Sequence, residues 1–293
     1  MTRGIIVKAL SGFFYVQGSD GRITECRGRG RFRKLDTDLL VGDLVHFEET
    51  EDGRGVVNEL VPRRMRLLRP PIANVDQAVF TFAFVKPPLH REMLDRLLVL
   101  AEREQVQSLI VCNKVDLASP EEIREVMEVY GLAGYPVVLT SVKQESGIKG
   151  LREHLAGKIS VLAGPSGVGK SSLLNAVSPG LSLTTGAVSE KIGRGRHTTR
   201  HVELLPLANG GMVADTPGFY DLSVEGIKSR ELAALFPEMR PVLNLCRFGA
   251  SCLHDKEPDC AVKALIADGL LARSRYESYL SLLSEAKVNE RRY

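Results

Sequence analysis

The sequence predicts a multidomain protein with a small N-terminal β-barrel, a central α/β domain and a C-terminal helical module. Short runs of β-branched and aromatic residues, divided by turns, fill the first part of the chain. Strand-like and helix-like runs then alternate, which is typical of a mainly parallel sheet flanked by helices. The last part combines clustered cysteines with apolar residues at helical spacing. We place the domains at residues 1–68, 69–228 and 229–293.

Composition and charge fit a folded soluble protein and leave its partners open. The chain has 293 residues, of which 44% are apolar and 26% charged, as in ordinary globular domains. Its longest apolar run, 78–85, is far shorter than the about 20 residues of a membrane span. The first residues lack the layout of a signal peptide, so we expect a cytoplasmic protein with no membrane partner. The net charge of +3 neither requires nor excludes nucleic acid.

The first domain contains five predicted strands, which favours a small closed barrel. They are expected at 5–7, 13–16, 22–26, 44–47 and 55–57. An OB fold is the first candidate, although an SH3-like barrel would show the same pattern. A basic run with interleaved glycines consists of Arg27, Arg29, Arg31, Arg33 and Lys34. Most such clusters are solvated edges, but on an OB-type barrel the run favours contact with RNA phosphates.

A strand-like run in the central domain leads into a phosphate-binding motif. Residues 164–171 match G-x-x-x-x-G-K-[ST] between a strand ending at Leu162 and a helix-forming stretch. The backbone N–H groups are expected to surround phosphate oxygens, with Lys170 at the β and γ phosphates and Ser171 on Mg²⁺. The predicted nucleotide-binding residues are Gly164, Pro165, Ser166, Gly167, Val168, Gly169, Lys170, Ser171 and Ser172.

Two loops earlier in the chain, each after a strand, predict that the bound base is guanine. The first consists of Asn113, Lys114, Val115 and Asp116. The Asp116 carboxylate can accept hydrogen bonds from guanine N1–H and the 2-amino group, which adenine does not offer in that arrangement. Residues 140–143 resemble the Ser-Ala-Lys loop that backs guanine in GTPases, with valine in place of alanine. We therefore expect Ser141 and Val142 at the base.

Two segments after the phosphate loop predict the rest of a magnesium shell. A strand runs into D-x-x-G, where Asp215 is expected to hold the metal through water and the Gly218 N–H to sense the γ-phosphate. The basic, glycine-rich segment 193–200 offers a threonine for the same shell, and we prefer Thr199 to Thr198. The predicted magnesium ligands are Ser171, Thr199 and Asp215.

The motifs occur in an unusual order. The base loops precede the phosphate loop, whereas most GTPases begin with the phosphate loop. A permuted chain can still assemble the same parallel sheet. The sequence therefore predicts a circularly permuted P-loop GTPase domain.

Three cysteines and one histidine within 15 residues predict a structural zinc site. Zinc prefers thiolate and imidazole ligands in a closed tetrahedron, and four protein ligands leave no open position for catalysis. Unrelated core cysteines are the weaker interpretation, because the segment is short and polar. Cys26 and Cys112 stand alone and are expected to be buried, inert thiols. The predicted zinc ligands are Cys246, Cys252, His254 and Cys260.

Taken together, the motifs resemble those of the ribosome-small-subunit-dependent GTPase A family. The resemblance covers essentially the whole chain and rests on NKVD, SVK, GPSGVGKS, HTTR and DTPG between a leading barrel and a trailing Cys-Cys-His-Cys knuckle. It implies an OB domain, a permuted GTPase domain and a zinc domain. It further implies that the protein binds the 30S subunit with its 16S rRNA and acts in late maturation of that subunit. The subunit is expected to stimulate GTP hydrolysis, after which the protein is released. We expect a monomer.

The residues after D-x-x-G indicate slow intrinsic hydrolysis. Phe219 and Tyr220 stand where many GTPases carry a water-orienting glutamine. A partner, or a residue of segment 193–200, must then complete the site, and His197 is the candidate. Contact with rRNA is the alternative for this histidine. The predicted catalytic set is His197, Lys170 and Thr199.

Two other functions compete with this one. The chain could be an RNA-binding protein that uses guanine nucleotide only as a ligand sensor, but the intact Lys170, Ser171 and Asp215 argue against vestigial chemistry. A P-loop kinase would leave the loop 113–116 unexplained.

Overall fold

The computed structural model describes residues 1–30, 32, 38–67, 70–181, 183, 202–215 and 224–291. The chain divides into two compact units. Unit 1 comprises Met1–Ala78, Arg152–Ala163 and Ser171–Tyr220, and unit 2 comprises Val79–Leu151, Gly164–Lys170 and Asp221–Tyr293. The domain boundaries drawn from the sequence stay predictions.

The described residues form short strands and mostly short helices. The strands are β1 (Thr2–Leu10), β2 (Phe13–Gly18), β3 (Ile23–Gly28), β4 (Leu44–Glu49), β5 (Gly55–Leu60), β6 (Arg66–Leu67), β7 (Ile72–Ala73), β8 (Gln77–Ala83), β9 (Gln107–Asn113), β10 (Val137–Leu139), β11 (Ile159–Ala163), β12 (Leu204–Pro206) and β13 (Met212–Asp215). The α-helices are α1 (Arg91–Arg103), α2 (Pro120–Leu132), α3 (Ile148–Leu155), α4 (Lys170–Val177), α5 (Ala261–Ala267) and α6 (Arg273–Glu290). No helix in the described ranges is both long and apolar enough to cross a bilayer.

Unit 1 begins with a closed barrel of five strands in the order β1-β2-β3-β5-β4, as predicted. β3 and β5 pair in parallel, and β4 closes the barrel by pairing antiparallel with β1. This Greek-key order is that of an OB fold and decides against the SH3-like alternative. Ile6, Val16, Val45 and Val57 are fully buried and fill the interior.

Three further strands of unit 1 belong to the α/β part of the chain. β11 and β13 run parallel, with Ile159 opposite Met212 and Leu162 opposite Asp215, and β12 adds an antiparallel edge. Val161 and Val213 are fully buried, as expected for strands covered on both faces.

Unit 2 contains the strands and helices that lead to the base loops. Its strand order is β10-β9-β8, and β9 and β10 are parallel. α1 connects β8 to β9, and α2 connects β9 to β10. A capping box starts α2, because Ser119 Oγ accepts from Glu122 N (3.2 Å) and Glu122 Oε2 accepts from Ser119 N (2.8 Å). Serine at 119, proline at 120 and glutamate at 122 are the sequence signature of such a helix start.

The C-terminal part of unit 2 packs on α1. It consists of 3₁₀ helices at Leu232–Leu235, Pro237–Leu245 and Gly249–Ser251, followed by α5 and α6. Val99 and Leu100 of α1 share one apolar cluster with Phe236, Tyr279 and Leu283. The C-terminal helix therefore packs through the apolar stripe that its helical spacing predicts.

Candidate nucleotide site and metal centre

The phosphate-binding motif is a tight loop between β11 and α4, and its backbone requires glycine at two positions. Gly164 has a φ of +143° and Gly169 a φ of +96°, which other residues rarely adopt. A Cβ on Gly164 would collide with the carbonyl oxygen of Thr81, and one on Gly169 would lie 2.5 Å from Nδ2 of Asn113. The loop therefore lies directly against β8 and the end of β9.

The lysine of the motif closes over this loop. Lys170 is the first residue of α4, and its Nζ donates to Gly164 O (2.8 Å) and Pro165 O (3.0 Å). Its ammonium group thus lies against the backbone carbonyls at the beginning of the loop. Ser171 (9% exposed) and Ser172 follow in the first turn. This arrangement suits a polyphosphate.

Two adjacent side chains attach the first base loop to the phosphate loop. Asn113 is buried at the end of β9 and donates from Nδ2 to Val168 O (2.8 Å). Lys114 Nζ donates to Gly167 O (2.7 Å) and to Lys86 O (2.6 Å). Lys114 has a φ of +60°, so the chain turns sharply as it leaves the strand. The loops predicted for phosphate and base are therefore in direct contact.

The second base loop orients the acidic residue of the first. Ser141 is fully buried, and its Oγ donates to Asp116 Oδ1 (2.5 Å). Val115 N donates to the carbonyl oxygen of Thr140 (3.2 Å), which joins the two loops along their backbones. Val142, half-buried, is the next residue. A carboxylate fixed by a buried hydroxyl is suited to reading hydrogen-bond donors on a base.

The predicted magnesium and catalytic residues are only partly within the described chain. Asp215 ends β13, and its backbone lies opposite that of Leu162. Leu162 precedes the phosphate loop by two residues in sequence. Parallel strands bring such carboxyl ends to one edge of a sheet, where ligands bind in α/β folds. His197, Thr198, Thr199 and Gly218 lie outside the described residues.

The four predicted metal ligands converge in a buried cluster, and their ligand atoms all lie within 4.8 Å of one another. Nδ1 of His254 is 3.5 Å from Cys246 Sγ and 3.4 Å from Cys260 Sγ. Cys260 Sγ is 3.9 Å from Cys246 Sγ and 4.0 Å from Cys252 Sγ. A tetrahedron with bonds of about 2.1–2.3 Å to zinc has edges of roughly 3.6–3.8 Å. The donor set therefore fits a metal of this size and preference.

Burial shifts the pKa of two of these donors, His254 and Cys252. It lowers the pKa of His254, which favours the neutral imidazole that binds metals. It raises the pKa of Cys252 to about 12, so a thiolate there needs a cation beside it. Burial also raises the pKa of the lone thiols, Cys26 to about 11 and Cys112 to about 12, as expected for inert groups.

An open groove on the barrel carries two of the predicted RNA-binding residues. Arg27 and Arg29 are exposed and line a groove of about 820 Å³, together with Arg66. The Arg27 guanidinium lies 4.7 Å from the centroid of the Phe13 ring. Cations beside an aromatic face are typical of surfaces that bind nucleic acid. The other three predicted residues, Arg31, Arg33 and Lys34, lie outside the described residues.

Comparison with known proteins identifies the family. Residues 3–57 match the RsgA N-terminal domain, and residues 60–225 match the RsgA GTPase domain. The chain belongs to the RsgA GTPase family. It is 50% identical over 290 residues to the small ribosomal subunit biogenesis GTPase RsgA of Moorella thermoacetica, covering 99% of each chain. It is 47% identical over 298 residues to the protein of that name from Bacillus velezensis, covering 100% of both chains.

Solved structures of RsgA relatives share the fold. YjeQ from Thermotoga maritima superposes with a TM-score of 0.85 at 38% identity, covering 97% of this chain and 98% of that one. YloQ, a circularly permuted GTPase, gives 0.80 at 41% identity, covering 98% and 95%. The predicted circular permutation and family membership are confirmed. As an RsgA family member, the protein is a GTP hydrolase.

Sequence reasoning missed two groups that support the site. The carbonyl oxygen of Lys86 holds the Lys114 ammonium, and Thr140 donates to Asn113 Oδ1 (3.2 Å). Thr140 is the first residue of the segment 140–143 that resembles a base loop, so its position in the sequence is a usable signal. Lys86 contributes only a backbone atom from 28 residues away, and no residue pattern marks such a contact.

Proposed function

We propose that this protein binds the small (30S) ribosomal subunit and acts in its late maturation, hydrolysing GTP to GDP and phosphate with stimulation by the subunit and then dissociating. Its relatives are named as small ribosomal subunit biogenesis GTPases. The observation that carries the proposal is the attachment of the base loop to the phosphate loop through Asn113 and Lys114. A guanine nucleotide needs both loops side by side.

In this proposal the nucleotide lies along the joined loops. The backbone N–H groups of residues 164–169 and the Lys170 ammonium bind the phosphates, with the hydroxyl-bearing first turn of α4 beside them. Asp116 accepts from guanine N1–H and the 2-amino group, and the hydrogen bond from Ser141 supports that orientation. Val115 and Val142 contribute backbone contacts.

Mg²⁺ accompanies GTP in this scheme. Ser171, Thr199 and Asp215 supply hydroxyl and carboxylate oxygens, which are the ligands that Mg²⁺ prefers. The ion offsets charge on the β and γ phosphates. The Gly218 N–H contacts the γ-phosphate, so that loss of phosphate changes the conformation of D-x-x-G.

His197 is our candidate for orienting the attacking water. The residues after D-x-x-G, Phe219 and Tyr220, cannot replace a glutamine in that role, which supports a low intrinsic rate. Lys170 would stabilise the developing charge directly, and Thr199 would help to hold the metal ion that offsets this charge. Replacing His197 with alanine should abolish most of the subunit-stimulated turnover; turnover equal to wild type would assign the histidine to rRNA contact.

The metal centre and the barrel have separate roles in this scheme. We assign structural Zn²⁺ to the four buried donors Cys246, Cys252, His254 and Cys260, which the cluster geometry supports. The basic run at residues 27–34 contacts 16S rRNA, supported by the groove that Arg27 and Arg29 line. We further propose a monomer that acts in the cytoplasm, where ribosomal subunits mature.

One experiment tests the proposed function against a pure nucleotide sensor. GTP turnover is measured alone, with isolated 30S and with isolated 50S subunits, and co-sedimentation is followed with GTP analogue and with GDP. We expect stimulation and GTP-dependent binding with 30S only. A protein that stays inactive in all three mixtures is a sensor. Competition between GTP and ATP in the same assay tests the kinase alternative, since a protein that prefers ATP is not a GTPase of this class.

A further inference from the structure

The C-terminal helix α6 carries an arginine that is buried between segments distant in sequence. The Arg275 side chain is 0% exposed. Its guanidinium donates to Asp95 Oδ1 on α1 (2.7 Å) and to Glu238 Oε1 in the 3₁₀ helix 237–245 (2.7 Å). The two carboxylates are 1% and 2% exposed. One cation thus meets two anions inside unit 2.

Aromatic rings connect the same guanidinium to the scaffold of the base loops. Its central carbon lies 4.7 Å from the ring centroid of Phe236, 5.9 Å from that of Tyr130 and 5.7 Å from that of Tyr135. Tyr130 is on α2, which follows the first base loop, and Tyr135 precedes β10, which leads to the second. Asp95 is on α1, which leads through β9 into the first loop. Arg275 therefore touches three segments that position these loops.

The next residues of α6 hold the metal-binding loop, which is the segment 246–260 that contains the four candidate ligands. Tyr276 Oη donates to the carbonyl oxygen of His254 (2.7 Å), and Tyr279 Oη donates to that of Leu253 (2.6 Å). Tyr279 also packs edge-on against Phe236, with ring centroids 5.4 Å apart, and Phe236 is the ring closest to the guanidinium. One stretch of α6 thus contacts the metal loop on one side and the base-loop scaffold on the other.

Stability alone does not account for this buried ionic cluster. Burial lowers the pKa of Arg275, but the charges of Asp95 and Glu238 outweigh that effect and raise it, so the guanidinium stays charged. Taking charged groups out of water costs free energy, and well-packed apolar side chains in their place often stabilise a fold to the same extent. What the directed hydrogen bonds add is one defined position of α6 against α1.

We propose that Arg275 is a positioning residue that couples the metal-binding loop to the guanine site. It touches neither nucleotide nor metal and acts through Asp95 and the two tyrosines of the base-loop scaffold. The inference rests on the proposed guanine and zinc sites. Because coupling between two binding sites is reciprocal, bound nucleotide tightens zinc binding by the same factor by which zinc tightens nucleotide binding.

The test measures the Zn²⁺ affinity of the full chain by chelator competition, with and without saturating GDP, and needs no ribosome. In the wild type we expect GDP to tighten zinc binding about fivefold or more, the lower end of usual coupling. The triple variant Asp95→Leu, Glu238→Met, Arg275→Met replaces the charges with apolar groups. We expect this variant to be folded, as cooperative unfolding would show, and to bind GDP. GDP should tighten its zinc binding by less than about twofold.

Two further variants complete the experiment. Arg273→Met alters an exposed arginine of the same helix and should keep the wild-type factor. Tyr276→Phe removes one hydrogen bond to the metal loop and should lower the factor at least about twofold, even where the triple variant does not fold. The coupling is overturned if GDP leaves the zinc affinity of the wild type unchanged, a factor of one. It is also overturned if the triple variant or Tyr276→Phe keeps the full wild-type factor. Direct titration reports GDP affinity separately, so a failure to bind GDP is recognised as failure of the proposed function and the coupling together.

Discussion

Ser141 donates its buried hydroxyl to one oxygen of the Asp116 carboxylate at 2.5 Å. Replacing Ser141 with alanine removes that donor and lets the carboxylate rotate. We expect GDP affinity to fall about 5–20-fold, or about 1–2 kcal/mol, which is the order of a single hydrogen bond. Titration calorimetry measures the change, with Ser146→Ala, an exposed side chain in the same loop, as control. Equal affinities of the two variants would contradict the orienting role.

Gly169 makes the close approach between the phosphate loop and Asn113. A Cβ there would lie 2.5 Å from the asparagine amide nitrogen, and the φ of +96° disfavours alanine independently. We expect Gly169→Ala to weaken GDP binding about 100-fold, about 3 kcal/mol, from strain and broken hydrogen bonds. Fluorescence titration with a labelled GDP tests this. Gly180→Ala, where an added Cβ meets open space, should bind normally; an unchanged Gly169→Ala protein would refute the loop geometry.

Motif residues were predictable individually because their chemistry fixes the residue type at each position. Asn113, Asp116 and Lys170 each stand in a short pattern with a known physical task. The partners of Arg275 were not predictable, because they lie 37 and 180 residues away in sequence and share no local pattern with it. Hydrogen bonds between distant segments depend on tertiary packing, which a pattern within one segment does not record.

We expect the metal-binding segment around α5 to depend on all four of its proposed ligands. Cys260 supplies one sulfur and stands at the N-cap of α5. We expect Cys260→Ser to reduce bound zinc from about one ion per chain to near zero. Its melting temperature should fall by about 10 °C, since a loss of about 3 kcal/mol shifts a chain of this size by about that much. Elemental analysis and calorimetry measure both quantities. Cys26→Ser, outside the cluster, should keep its zinc; retained zinc in Cys260→Ser would remove that residue from the ligand set.

The basic groove of the barrel should bind phosphates of the rRNA. Arg27 and Arg29 are exposed and line it. Replacing both with alanine should weaken binding to isolated 30S subunits and reduce the slope of log affinity against log salt concentration by about 1–2, about one unit for each phosphate that the protein no longer neutralises. Arg22→Ala, an exposed arginine paired with Asp20 on the same barrel, is the matched control. An unchanged slope in the double variant would place the RNA interface elsewhere.

Local patterns predicted the elements better than their pairing. The capping box at Ser119 and the five barrel strands follow from side chains next to one another in sequence. The choice between OB and SH3-like barrels depended on the parallel pairing of β3 with β5, which joins Cys26 to Gly55. Hydrophobic alternation is the same for either pairing, so the sequence pattern left this choice open.

Base recognition is a property of the assembled molecule rather than of one segment. The phosphate loop, the NKVD loop and the second base loop come from different parts of the chain in permuted order, with bonded residues up to 55 positions apart. Hydrogen bonds nevertheless join them within unit 2. Their order along the chain predicted the permutation. Their contacts support the central claim that one pocket binds both guanine and phosphates.

The most direct test of that claim is the nucleotide preference of Asp116→Asn. Asparagine presents an N–H donor where the carboxylate presents an acceptor, so it opposes the 2-amino group of guanine and suits the C2 carbonyl of xanthine. We expect GDP affinity to fall about 100-fold, because one hydrogen bond to the carboxylate is replaced by two opposed N–H donors and the acceptor that remains is uncharged. Affinity for xanthosine diphosphate should rise by a similar factor. Titration of wild type and variant with both nucleotides measures the switch. An Asp116→Asn protein that binds GDP as tightly as the wild type would contradict the account.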